Sequence, residues 1–490
     1  MDRIPSALES KIISAAEAAA MVKPNMVLGF SGFGQVGDPH VIPAEIAKQG
    51  TAKNLTVITG ASVGPHLDGD MVDAGLIARR FPYQTNKQCR AAINTGEVAY
   101  ADQHLSVTPK LLISGCGPKI DIAIIECCAV TEDGLYPAAT VGISDAVVRL
   151  ADKVIVELNT TLPVELVGIH DIYSNAGKAE PVPVTSVMQR VGTPYIPCSP
   201  DKIAGIVVTD DPDHFPTFGA ADEDSKKIAA NIVTFLRGEI AAGRQPENLY
   251  PIQSGVGNVA NAVLQGLETG GLKDLSMYTE VIQDSALELI KKGIIASASC
   301  TSLCISREAM ADLVENIDFY KQKIVIRPQE ISNHPEVARR LQLVSMNTPI
   351  EVDIYGNVNS THIMGTKIMN GIGGSGDFSR NSGTVIFATS SVAKKGAISC
   401  IVPFCSHIDH TEHDSMIIVT EQGIADLRWK SPRERAKLII ENCAHPDYKD
   451  ALMDYFERAC KAGGHTPHIL SEALSWHERF NQTGTMKIEK

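Results

Sequence analysis

Aromatic side chains are scarce in this 490-residue chain, with 12 Phe, 11 Tyr and 2 Trp making up 5% of it. A core built on stacked rings is therefore excluded, and burial has to come from Val, Ile, Leu and Ala. No run of about 18 uninterrupted apolar residues occurs, which excludes a hydrophobic membrane-spanning helix. Lys and Arg (44) are outnumbered by Asp and Glu (57), leaving a net charge of −13. Nucleic acid and anionic membranes need a basic face, so neither is an expected partner. The 11 cysteines include no Cys-x-x-Cys pair, and Cys127-Cys128 sits in an apolar run where thiols act as small hydrophobes. That usage fits a reducing compartment. The N-terminal Met-Asp-Arg-Ile-Pro-Ser lacks an apolar h-region, and Asp2 and Glu9 do not suit a transit peptide, so a cytoplasmic location is expected.

What is present is glycine (39 residues), and Val/Ile runs alternating with Ala/Leu/Lys/Glu segments. This is the pattern of an α/β protein with parallel sheets. The length predicts two domains of roughly 220–260 residues each. The polar, acidic, Pro-containing segment Asp210–Asp224 reads as the linker, giving domains 1–222 and 223–490. In the first, strands are predicted over Met26–Phe30, Leu55–Thr59, Ile120–Cys128, Lys153–Leu158 and Asp201–Thr209, with a helix over Pro43–Gln49. In the second, helices are predicted over Ser225–Ala242, Val259–Leu267, Pro432–Asn442 and Lys449–Lys461. Strands are predicted there over Ile324–Arg327, Glu351–Tyr355, Thr384–Ala388 and Met416–Thr420. A strand, a glycine loop and a helix open both halves, a weak internal repeat.

Three segments could carry chemistry. Gly371-Ile372-Gly373-Gly374-Ser375-Gly376-Asp377-Phe378 lets backbone approach a ligand and present N–H groups to an anion or carbonyl oxygen. No Gly-Lys-Ser/Thr follows, so it is not an ATP loop. Ser254-Gly255-Val256-Gly257-Asn258 is a second amide-rich loop, entering a helix. Glu280, in Met-Tyr-Thr-Glu-Val-Ile-Gln-Asp, is either a solvent-facing helix-start residue or a nucleophile held at a domain seam. Two such loops and a carboxylate suit acyl transfer, in which the tetrahedral oxyanion needs amide donors. A fourth segment, His407-Ile408-Asp409-His410-Thr411-Glu412-His413-Asp414, has metal-ligand residue types. Pro403 before it and the strand after it favour a hydrogen-bonded loop, and no resident metal is expected.

Over nearly its full length the chain resembles the acetyl-CoA hydrolase/transferase family, the class I CoA-transferases with both halves in one polypeptide. The resemblance is carried by Asn-Ser-Thr-His-Ile-Met-Gly-Thr-Lys (359–367), Met-Asn-Gly-Ile-Gly-Gly-Ser-Gly-Asp-Phe (369–378), Met277–Asp284, Gln253–Asn258 and Arg327–Asn333. It is similar above all to the succinyl-CoA:acetate and propionyl-CoA:succinate branch. The resemblance implies two tandem open α/β domains of the NagB/RpiA type with the active site at their interface, usually as a homodimer. It implies Glu280 as nucleophile, passing through a glutamyl-CoA thioester, with Val256 and Gly374 as backbone oxyanion donors. Asn333 is implied to contact the active-site carbonyl, and Gln253, Ser254, Gly255, Val256, Asn370, Gly374 and Lys394 to contact CoA. Ser62, Thr85 and Glu421 are implied to line the pocket for the small acid. CoA is then a co-substrate, with no permanently bound cofactor, and the partners are acyl-CoA and short-chain carboxylates. Acyl-CoA hydrolysis is the nearest rival. A sugar-phosphate isomerase or a regulatory ligand-binding subunit on the same scaffold are more distant ones.

Overall fold

Val27–Phe30 is the strand from which the first sheet grows in both directions. In the computed structural model, which describes residues 2–488 except 176, 217, 218 and 220, one side continues through Leu55–Ile58, Ile77–Phe81 and Ala99–Tyr100. The other side continues through Ile122–Cys127, Lys153–Asn159 and Ile203–Thr209. Every neighbouring pair among these strands is parallel. Ile122–Cys127 is buried at all six positions, as a strand covered on both faces must be. Helices return the chain between strands, and one of them, Ser144–Leu150, crosses Val27–Phe30 at Gly29. A Cβ on Gly29 would lie 2.8 Å from two carbons of Val147, so only glycine admits this approach.

Packing divides the chain into two compact units. One comprises Met1–Thr217, Met277–Ile290 and Ala296–Leu341, and the other Phe218–Ser276, Lys291–Ile295 and Gln342–Lys490. Packing and chain order therefore diverge: Glu280 lies in the second half of the sequence but packs in the unit that holds the first half. The core of the first unit includes Leu28, Phe30, Ile42, Val57, Leu67 and Ile124. In the second unit Ile252–Ser254, Val344–Asn347, Thr384–Ala388 and Ile417–Thr420 run parallel in that order, and Gly423–Asp426 closes the edge antiparallel. Helices Pro432–Cys443 and Pro446–Ala462 supply much of its core, with Val385, Phe387 and Ile418 from the strands.

Most predicted elements are present within a few residues of their expected ends. Among the strands not predicted are Leu275–Tyr278, Ile295–Cys300 and Val344–Asn347. Their Ser and Asn content weakens the apolar signal, although most of these positions are buried. The acidic segment Asp210–Asp224 includes residues 217, 218 and 220, which lie outside the described residues. In its first part Asp213 is buried and accepts the Gly37 amide at 3.3 Å, whereas Asp210, Asp211, Pro212 and His214 are exposed. Its last part is a helix cap, with Asp222 accepting the Ser225 amide at 2.8 Å at the start of Glu223–Ala241.

The segment leading to Asn333 is tied down by a charge. Arg327, fully buried at the end of strand Ile324–Ile326, pairs with Asp171 and donates to Ser299 Oγ (2.9 Å) and Gln189 O (2.5 Å). Removing one partner of such a pair strands a buried charge. Arg327→Met is expected to destabilise the protein by about 3–5 kcal/mol, read as a lowered urea midpoint with unchanged transition slope.

Buried carboxyls also give stability a pH slope. Burial pushes Glu157 up to about 7 even though the amides of His40, Ile42 and Val41 pull it down. Burial, with neighbouring Glu330, pushes Asp145 up to about 7. Above about pH 5 the unfolded chain has released these protons and the folded chain has not, so stability falls as pH rises through their titration. Burial depresses His170 to about 4, which acts in the opposite sense but only below about pH 6.5. The urea midpoint at pH 8 is therefore expected to lie below that at pH 6.5.

Candidate active site

Glu280 occupies a break between two short strands. Leu275–Tyr278 ends just before it, and Val281–Ile282 begins after it and pairs in parallel with Ser302–Leu303. The Thr279 amide donates to Ser299 O (2.9 Å) and the Thr301 amide to Glu280 O (2.9 Å), so the backbone is held on both sides of the carboxylate. The next helix starts only at Asp284. Glu280 is thus a half-buried residue at a strand end, which removes the helix-start reading.

The carboxylate has a defined donor. Asn333 Nδ2 donates to Glu280 Oε2 at 2.6 Å, while Asn333 Oδ1 accepts the Ser332 hydroxyl at 2.7 Å. The second bond fixes which end of the amide faces Glu280. Asn333 follows the buried turn Gln329–Ser332, and that turn is anchored twice. The Gln329 amide donates to Gly142 O (2.8 Å) and its side chain to Leu105 O (2.7 Å). The hydroxyl of Tyr278, from the strand entering Glu280, donates to Ile331 O at 2.5 Å. Strand end and turn are therefore cross-linked on both sides of the Glu280–Asn333 contact.

An apolar cluster of Phe33, Ala61, Leu105 and Val281, with Tyr83 and Cys304, packs beside this pair. It brings Glu280's neighbour together with the elements that hold Ser62 and Thr85. Ser62 is fully buried in strand Ala61–Ser62, which pairs with Phe33–Gly34, and its carbonyl accepts Arg80 Nη2 at 2.6 Å. Among the described residues its hydroxyl has no hydrogen-bond partner. Thr85 is exposed, with its carbonyl accepting Arg90 Nη2 at 2.7 Å just before helix Lys87–Thr95.

The remaining expected residues belong to the second unit. Gln253 and Ser254 are buried in strand Ile252–Ser254, and Gln253 exchanges side-chain hydrogen bonds with Asn347 (3.2 and 3.4 Å). The Gly255 amide donates to Met346 O at 3.0 Å, and Gly257, with φ at +111°, turns the chain into helix Asn258–Thr269. Val256, between them, is 58% exposed. Among the described residues neither the Val256 nor the Gly374 amide has a hydrogen-bond acceptor. Asn370 is half-buried and precedes the glycine loop. Lys394 is exposed and its ammonium lies 4.9 Å from the centre of the Phe480 ring. Glu421 accepts the Ser391 amide (2.8 Å), the Ser391 hydroxyl and the Gln422 side-chain amide (2.8 Å). Burial pushes its carboxyl up, but those donors, led by the Ser391 hydroxyl, hold it below the usual carboxylate range.

The His407–Asp414 segment is a hydrogen-bonded loop, and it serves the glycine loop. Buried His410 meets the hydroxyls of Ser375 (2.7 Å) and Ser379 (3.3 Å), fixing the residues that follow Gly374. Asp409 accepts the Ser360 amide (2.6 Å) and the Thr361 hydroxyl (2.9 Å). Sequence reasoning missed this role of His410, and also Ser332, Gln329 and Tyr278 as supports of Glu280. The Gln-Glu-Ile-Ser-Asn motif was the available signal for two of them.

Family models for the acetyl-CoA hydrolase/transferase N-terminal and C-terminal domains match residues 3–208 and 310–456. The chain belongs to the acetyl-CoA hydrolase/transferase family. Within that family it is 52% identical over 98% of its length to the succinyl-CoA:acetate CoA-transferase of Clostridium kluyveri, covering 91% of that protein. It is 42% identical to the acetyl-CoA hydrolase of Yarrowia lipolytica, covering 98% of this chain and 97% of the relative. Among solved structures its fold is shared with RipA from Yersinia pestis (TM-score 0.72, 23% identity, 92% and 98% of the two chains). It is also shared with the 4-hydroxybutyrate CoA-transferase of Porphyromonas gingivalis (TM-score 0.65, 23% identity, 92% and 98%).

For this family member the Asn333 contact is the first to test. A hydrogen bond to a charged group is worth about 1.5–3 kcal/mol. Asn333→Ala is expected to lower kcat of acyl-CoA turnover by about 10- to 100-fold, with KM for acyl-CoA changed much less.

Proposed function

We propose that this enzyme of the CoA-transferase type moves CoA from a short-chain acyl-CoA to a carboxylic acid, with succinyl-CoA and acetate as the pair. The observation that carries the chemistry is the half-buried Glu280 carboxylate at a strand end, oriented by Asn333 Nδ2 at 2.6 Å. The choice of acids rests on the similarity to the Clostridium kluyveri enzyme.

In this reading a Glu280 oxygen attacks the thioester carbonyl, giving a tetrahedral oxyanion that expels CoA thiolate and leaves an acyl-glutamyl anhydride. The thiolate then attacks the Glu280 carbonyl of the anhydride. The C–O bond to the acyl carboxylate breaks, the first acid departs, and glutamyl-CoA thioester remains. The acceptor carboxylate attacks that thioester, and the same two steps in reverse return free Glu280 and the new acyl-CoA. One thioester and one carboxylate enter and leave, so no ATP is required. The Val256 and Gly374 amides, free of internal acceptors, suit the role of oxyanion donors that the family resemblance gives them. Asn333 supports Glu280 as attacking group, since its amide can donate to the carboxylate before attack and to the acyl-glutamyl oxygen afterwards.

Hydrolysis is the second reading, favoured by the Yarrowia lipolytica relative; water would then take the place of the acceptor acid. A panel of short acyl-CoAs, each assayed with and without acetate, propionate, butyrate or succinate, separates the two. Transfer predicts CoA exchange at least tenfold faster with acceptor than CoA release without it, and loss of more than about 10³-fold in Glu280→Ala. Equal rates with and without acceptor would replace transfer by hydrolysis.

A further inference from the structure

A second constellation lies behind the glycine loop of the first unit. Asp38, His40 and Asp213 are 1%, 1% and 6% exposed, and among the described residues they alone bring three metal-ligating donor atoms within 4.8 Å of one another. Among the described residues Asp38 Oδ1 and both ring nitrogens of His40 have no hydrogen-bond partner. Glu126, 2% exposed, holds Asn159 Nδ2 at 2.8 Å on one oxygen, and its carboxyl meets that of Asp213. His40 Nε2 lies 3.6 Å from Asp213 Oδ1, and His40 Nδ1 lies 3.6 Å from Asp211 Oδ2, whose side chain is 48% exposed. Buried polar atoms ordinarily find partners, and several of them converging without any is exceptional.

The position is also one where α/β sheets bind ligands. Glu126 lies at the C-terminal end of Ile122–Cys127, Asp213 lies beyond the C-terminal end of Ile203–Thr209, and Asp38 and His40 follow the loop after Val27–Phe30. The strand order switches direction between Val27–Phe30 and Ile122–Cys127, and the crevice beyond the carboxyl ends at such a switch is the usual ligand site. Three carboxylates in one buried pocket repel each other and are desolvated, and a divalent ion offsets both costs.

We infer that Asp38, His40 and Asp213 hold a divalent first-row transition metal ion, with Glu126 within the same pocket as a further carboxylate. The mixed imidazole and carboxylate donors suit Zn²⁺ or Mn²⁺ rather than Ca²⁺ or Mg²⁺, which favour all-oxygen sites. A tetrahedral ion about 2.1 Å from each donor holds donors about 3.4 Å apart, so donors within 4.8 Å of one another draw together by up to about 1.4 Å to close the site. Exposed Asp211 marks the entry path. The ion's work is structural. Asp38 ends the loop whose Phe33–Gly34 pairs with Ala61–Ser62, and Gly37 donates to Asp213. An ion on Asp38 and Asp213 therefore clamps the C-terminal end of the loop that packs on Val281, next to Glu280.

The test uses the full-length, untagged chain, stripped with a chelator and then dialysed against Zn²⁺ or Mn²⁺ with metal counted by mass spectrometry. One equivalent per chain is expected, a rise in melting temperature of about 2–5 °C, and slowed hydrogen exchange in peptides covering 31–41 and 210–216. Asp213→Asn should reduce the bound metal from one equivalent to less than a fifth of one, and His407→Ala should leave it at one. Wild-type protein that binds neither ion stoichiometrically overturns the inference, and the pocket is then a set of carboxyls sharing protons. Protection confined to 407–414, or full binding by both Asp213→Asn and Asp38→Asn, overturns it equally.

Discussion

The hydrogen bond from Asn333 to Glu280 is the contact around which the candidate site is organised. Glu280 alone is a carboxylate at a strand end with several rotamers open to it. The amide at 2.6 Å selects one of them, and the Ser332 hydroxyl on the other side of the amide decides which atom faces the carboxylate. Behind this lie only buried groups: Tyr278 on Ile331, Gln329 on Leu105 and Gly142, and Arg327 on Asp171. A site built this way can hold the Glu280 carboxylate within a few tenths of an ångström before any substrate arrives. That is where preorganised catalysis gains over reaction in water.

The glycine loops contribute by a different route. Gly257, at φ +111°, lets the backbone turn into helix Asn258–Thr269, but a loop of glycines is costly to order. In the second unit that ordering comes from His410, wedged between Ser375 and Ser379, and from the strand contact of Gly255 with Met346. In the first unit the loop through Phe33 and Gly34 is pinned by pairing with Ala61–Ser62 and by the Asp213 carboxylate at Gly37. Histidine and aspartate thus act here as fasteners for backbone, far from their usual reading as acid–base groups.

Much of the architecture was legible in the sequence, because buried parallel strands such as Ile122–Cys127 are continuous apolar runs with no competing period. The same rule hid Leu275–Tyr278 and Ile295–Cys300, whose serines hide the burial of Met277, Ala298 and Cys300. Glu280 stood out by motif, but its local sequence was compatible with a helix start. Only the ladder from Val281–Ile282 to Ser302–Leu303 resolves that. Asn333 is 53 positions from Glu280 and Asp213 is 176 from Gly37, and no local pattern encodes contacts at such separations. For Asp213 local composition gave no sign of burial, since an acidic Pro-containing stretch carries no apolar signal.

The most direct measurement is the mass of the enzyme after exposure to acyl-CoA without acceptor. If Glu280 is the nucleophile, the intact chain gains the mass of CoA less one water. The adduct is cleaved by hydroxylamine, and borohydride reduction marks Glu280 in the peptide map. No adduct with an acyl-CoA that the enzyme turns over, or an adduct on any other residue, would contradict the account.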